Sequence, residues 1–103
     1  MIQFKGGNGS SKEKAIIIHG VYTEWEGVDA EYNYMERKFG TFEIESQTFV
    51  DDGDKKYDKL KISYALNEKK AELWFDITNF YGKEWYAKIC LYIIYPTRLQ
   101  TEY

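Results

Sequence analysis

Gly6-Gly7-Asn8-Gly9-Ser10-Ser11 leads through Lys12 and Lys14 into Ala15-Ile16-Ile17-Ile18-His19. Backbone N–H groups freed by Gly7 and Gly9, the hydroxyls of Ser10 and Ser11 and two nearby ammonium groups are the parts of an anion cradle. The pattern lacks the third glycine of a dinucleotide fingerprint and the Gly-Lys-Ser/Thr of a phosphate loop. A tight connection between two strands would use the same residues. His19 is the lone histidine, and a general base needs an orienting acid or a nucleophile beside it. The expectation for it is a structural role, with a place at the mouth of the loop as the alternative. Gly7, Gly9, Ser10, Ser11 and His19 are therefore the candidate ligand-binding residues.

Other chemistry is thinner. Cys90 is the single cysteine, so neither an internal disulfide nor a Cys-based zinc site can form. It lies in an apolar run, where a thiol is usually inert. Glu43, Glu45, Glu72 and Asp76 could gather on one sheet face, but Lys59 and Lys61 are interposed between them. Glu24, Glu26, Asp29, Glu31 and Glu36 read as an ordinary solvated helix face. No catalytic residue, metal ligand or cofactor is assigned.

Aromatic residues offer a different kind of surface. Alternation along residues 71–78 turns Trp74 away from the apolar face. Phe80 and Tyr81 follow it, and Trp85, Tyr92 and Ile93 belong to the run 85–95, which has strand composition and is closed by Pro96. Two readings stand side by side: the segment 85–95 covers Trp74 within the chain, or Trp74, Phe80, Tyr81, Trp85, Tyr92 and Ile93 meet a protein partner or a second copy.

The elements that must position these residues are legible from periodicity. Residues 2–5 suit a short strand. The unbroken apolar run at 15–19 implies a strand buried on both faces, hence a central one. Thr23 and Glu26 have capping-box spacing, Asp29 being a second possible cap after Gly27. Trp25, Val28, Tyr32, Met35 and Phe39 form one helical stripe, and Gly40 stands where a terminating glycine belongs. The period then changes to two. Asp51-Asp52-Gly53 and Asn67-Glu68-Lys69-Lys70 read as turns of an antiparallel meander over 41–78. Loops at those places pair Ile44 with Leu60 and Tyr64 with Leu73, and set Lys61 between Glu43 and Asp76.

The chain has 103 residues, 44% of them hydrophobic and 18% aromatic, with a net charge of −3. That length fits one domain. The mild acidity argues against a nucleic-acid backbone as ligand. No run is long enough to span a membrane and no signal-peptide pattern opens the chain, so a cytoplasmic setting is the default expectation.

Phe4-Lys5-Gly6-Gly7-Asn8-Gly9-Ser10-Ser11, with Glu13 and Ala15-Ile16-Ile17-Ile18, resembles a motif of small uncharacterised bacterial proteins. Glu26-Gly27-Val28, Tyr57-Asp58-Lys59-Leu60 and Phe75-Asp76-Ile77-Thr78 share the resemblance, which covers residues 4–82 and implies no activity. Residues 83–103 lie outside it, as a further strand and a tail.

The expectation is a single α+β domain over 1–103: an antiparallel meander, a central N-terminal strand and one helix on one face. Its function is read as a non-enzymatic protein-interaction module, for which an immunity- or antitoxin-like role would suit a small acidic domain. The alternative is a small-ligand or anion-binding enzyme built on Gly6–Ser11 and His19.

Overall fold

A computed structural model describes residues 1–83. They form strands β1 (Gln3–Gly6) and β2 (Ile16–His19), helix α1 (Glu24–Phe39), and strands β3 (Phe42–Asp52), β4 (Lys55–Tyr64) and β5 (Lys69–Asp76). The sheet order is β1-β2-β5-β4-β3. β3, β4 and β5 are the expected antiparallel meander, but the sheet is mixed, because β2 runs parallel to β5. The N-terminal apolar strand is flanked on both sides, by β1 and β5. Among the described residues no helix is long and apolar enough to cross a membrane.

Helix α1 starts at Thr23, whose Oγ1 accepts the Glu26 N–H at 3.4 Å. Glu26 in turn accepts from the Thr23 hydroxyl and from the N–H of Tyr22, the residue before the cap, at 3.1 Å each, so one first-turn donor is satisfied and the entering chain is tied to the helix. At the other end Gly40 adopts φ +76° and donates to Glu36 O at 2.8 Å, stopping the helix as expected. The helix lies over the face that carries Ile16, Ile18, Leu60, Ile62, Leu73 and Phe75. These pack with Val21, Ala30, Met35, Ile77 and Phe80 into one core. Tyr34 links the layers, its ring 5.0 Å from Phe4 and 5.7 Å from Phe75.

Registers differ from expectation: by two pairs in the second hairpin, by one pair in the first up to Ile44, and by three residues beyond it. In the first hairpin Asp52 faces Lys55, leaving a two-residue turn at Gly53 and Asp54 with Gly53 at φ +68°. Ile44 therefore faces Ile62, not Leu60, and a bulge between Ile44 and Ser46 shifts the rest of the strand by one residue. In the second hairpin the turn is 65–68. Ala65, Leu66 and Asn67 all have positive φ, and Ser63 Oγ donates to Asn67 Oδ1 at 2.9 Å. Leu66, expected on the apolar face, is exposed at this turn, and Leu73 faces Leu60 instead of Tyr64. The shifts move the ion pairs: Lys61 reaches Glu72 at 3.9 Å, while Glu45 meets Lys70 at 3.1 Å. Asp76 pairs with Lys55 at 3.7 Å.

Candidate functional site

The glycine loop is folded onto the chain itself. Gly7 N–H donates to Ala15 O at 3.2 Å, Gly9 N–H to Lys14 O at 2.7 Å, and Ser10 N–H to Asn8 Oδ1 at 3.0 Å. Ser11 Oγ accepts the Lys14 N–H at 3.3 Å. Gly9 O accepts the N–H of Trp74 at 2.8 Å, so the loop continues the β2 side of the sheet along β5. The glycines are needed for this closeness. A Cβ on Gly7 would lie 2.4 Å from Lys14 O, and one on Gly9, whose φ is +83°, 2.8 Å from Ile16 Cδ1. The N–H groups of Gly7, Gly9 and Ser10 are thus engaged by the chain's own oxygen atoms. His19 is exposed and lies at the other end of β2: Gly6 faces Ile16 at one end of the β1–β2 pair, and His19 faces Gln3 at the other. The structure does not bring the loop and the imidazole to one mouth.

The aromatic candidates divide. Trp74 stands on the sheet face away from the helix, partly buried, with the Tyr57 ring 6.0 Å from its own and Lys59 Nζ 5.4 Å above it. Phe80, expected on the contact surface, is 1% exposed and belongs to the core. Its ring fills the space over Gly27, where a Cβ would lie 2.3 Å from it. After β5 the chain turns back sharply, with Thr78 N–H bonded to Asp76 Oδ1 and Phe80 N–H to Ile77 O, and this drives Phe80 under the helix start. Tyr81, by contrast, is 44% exposed and stacks on Phe49 of β3, itself 43% exposed, with ring centres 5.0 Å apart and planes within 14°. Trp85, Tyr92 and Ile93 lie outside the described residues.

Two further features stand outside the residues singled out above. First, among the described residues β3 is one of the two strands that end the sheet, and between it and α1 runs a groove of about 440 Å³. Tyr32, Phe42 and Ile44 line it together with the polar Asp29, Asn33 and Glu36. Second, Glu31 is not on a solvated helix face as expected. It is 1% exposed and hydrogen-bonded to Asp58, which is 2% exposed and also accepts from Gln47 Nε2 at 3.2 Å. Burial raises the Asp58 carboxyl above its ordinary value, against the opposing effect of the bonds from Glu31 and Gln47. The sequence did carry a signal for it: Asp58 occupies an inward position in the alternation Asp58, Leu60, Ile62, Tyr64, and Phe49 faces it across the ladder.

Among the described residues no three His, Cys, Asp or Glu side chains are grouped to hold a metal ion. No family model, curated protein or solved structure matches the chain, so the resemblance over residues 4–82 carries no family assignment.

Proposed function

We propose that the chain is a non-enzymatic protein-interaction module whose contact surface is the β3 edge, centred on the stacked Phe49–Tyr81 pair. The observation that carries this reading is the pair itself. Two large rings lie face to face with more than two-fifths of each residue left in water, beside a strand at the sheet's edge. Rigid aromatic side chains present large contact area at low entropic cost, and such residues dominate the binding energy of protein interfaces. An edge strand adds backbone donors and acceptors that a partner can satisfy. Trp74, partly buried beside Tyr57 and Lys59, is secondary to this surface.

Affinity capture from a lysate of the source cell tests the reading. The wild-type chain retains a stoichiometric protein, and a Phe49→Ser, Tyr81→Ser variant with an unchanged circular dichroism spectrum releases it. Retention of the same proteins by both chains, or of none by either, removes this surface as the site of interaction.

A further inference from the structure

We infer that Asn8–Gly9 is a latent site of self-modification, at which the side-chain amide of Asn8 is lost through a cyclic imide once the bond from Gly9 N–H to Lys14 O opens. Water is the only co-reactant. The site lies in the glycine loop and is independent of the interaction reading.

The reaction belongs to the residue pair. A backbone nitrogen that attacks the side-chain carbonyl of the asparagine before it closes an imide ring, and a side chain on the attacking residue obstructs the approach. Glycine has none. Asn8 is the one asparagine followed by glycine, since Asn33, Asn67 and Asn79 precede Tyr34, Glu68 and Phe80. In the first step the Gly9 nitrogen gives up its proton to a base in the solvent and bonds to Asn8 Cγ. The Cγ–Nδ2 bond breaks, and ammonia leaves with a proton taken from water. Water then opens the imide at either carbonyl. The product is an aspartyl or an isoaspartyl linkage at position 8, with one more negative charge.

The fold treats the two reacting groups differently. Asn8 is exposed, and its Oδ1 accepts the N–H of Ser10 at 3.0 Å. That donor faces the oxygen on which negative charge develops during attack, so the electrophile is activated. The nucleophile is held back. Gly9 is buried, and its N–H donates to Lys14 O at 2.7 Å, at the short end of the range for such bonds. While that bond is closed the proton is shielded from base. Gly9 is fixed on its other side as well, its carbonyl accepting the N–H of Trp74 at 2.8 Å. The rate of modification in the folded chain is therefore set by how often this part of the loop opens.

Modification then keeps the loop open. An isoaspartyl linkage routes the main chain through the Cβ of residue 8 and so adds one backbone atom between Gly7 and Gly9. Those two residues hold the loop closed, through Gly7 N–H to Ala15 O and Gly9 N–H to Lys14 O. The surroundings leave no slack: a Cβ on Gly7 would lie 2.4 Å from Lys14 O, and one on Gly9 2.8 Å from Ile16 Cδ1. The longer chain does not close both bonds at once, and the connection between β1 and β2 loosens.

The test incubates the full chain, folded and in guanidinium chloride, in mildly alkaline buffer. Charge variants are separated by ion exchange, and the linkage at position 8 is read by peptide mapping. Conversion is at least tenfold slower in the folded chain, and its slowing follows the protection of the Gly9 amide against hydrogen exchange, because both need the same bond to open. Equal rates in the folded and unfolded chains, with the Gly9 amide protected, overturn the latch. Asn8→Ser removes the fast charge variant; its appearance at the wild-type rate in that chain places the reaction elsewhere and overturns the assignment. Gly7→Ala, whose methyl group displaces Lys14 O, speeds conversion at least fivefold in a chain with an unchanged circular dichroism spectrum. A folded Gly7→Ala chain that converts no faster overturns the role of the Lys14 bond, and if that variant does not fold, the two wild-type rates decide alone. The purified isoaspartyl chain exchanges its Gly9 amide rapidly, and retained protection there overturns the lasting opening of the loop.

Discussion

Asp58 and Glu31 set two carboxyl groups against each other inside the protein, and a hydrogen bond between two carboxyls needs a proton on one of them. Burial is the larger influence on Asp58, and it raises the carboxyl above 3.8. The folded chain then keeps a proton that the unfolded chain gives up. Stability from this group is therefore full below about pH 4 and declines as pH rises towards the folded value, by about 1.4 kcal/mol for each unit of the shift. Asp51 behaves oppositely: its bond to Lys56 lowers it, so that contribution is lost as pH falls, but the group is exposed and weak. The expected result is specific to one residue. Urea midpoints of wild type and Asp58→Asn diverge in favour of the variant between pH 4 and pH 7. A difference that is constant with pH, or that grows in favour of wild type, contradicts the protonated pair.

At the scale of elements, one close joint lies between the start of α1 and the turn after β5. Gly27 is buried in the helix because the Phe80 ring occupies the volume of its missing Cβ. Gly→Ala in a helix ordinarily gains about 1 kcal/mol. Here overpacking costs about 1–3 kcal/mol and wins. Thermal unfolding should show Gly27→Ala lowering the midpoint in wild type and raising it in a Phe80→Leu background, where the ring is gone. The same sign in both backgrounds would show that the two residues do not share this space.

Periodicity and capping made the elements legible. Thr23, Glu26 and Gly40 bound the helix, and the alternations in β4 and β5 assigned most inward residues correctly. Registers were less legible because an even shift, as in the second hairpin and at Ile44, keeps every side chain on its face, and because the bulge after Ile44 adds one residue more. Asp51-Asp52-Gly53 and the polar run 67–70 therefore named the turn regions without fixing their loops. No feature of Ala65 or Leu66 announces a left-handed conformation, and Glu45 gives no sign of the bulge beside it. Phe80 and Glu31 were misplaced for one reason. The fate of a single side chain near a turn or a helix face depends on what the tertiary fold brings opposite it, here Gly27 and Asp58.

For the molecule as a whole, the property that matters is which strands end the sheet among the described residues and which aromatic side chains they present there. Among the described residues β1 and β3 end the sheet, but β1 is a four-residue strand whereas β3 has eleven residues and carries Phe49. That asymmetry was hidden in the sequence. The meander could be read, but not the order that put β5 beside β2 and so left β3 outermost. Of the candidate site, Tyr81 was legible as an aromatic surface residue. Its partner Phe49 was not, because the stack joins residues far apart in the chain. The glycine loop was legible as a tight connection, and its bonds to Lys14, Ala15 and Trp74 show how that connection is made.

Residue-resolved amide exchange on the full chain, with and without the protein captured from the lysate, tests the central claim most directly. Amides of β3 around Phe49 and of the turn that carries Tyr81 should slow at least tenfold when that protein is present, while amides of the β4–β5 ladder are unchanged. No change around Phe49 and Tyr81 in the presence of saturating partner would contradict the account.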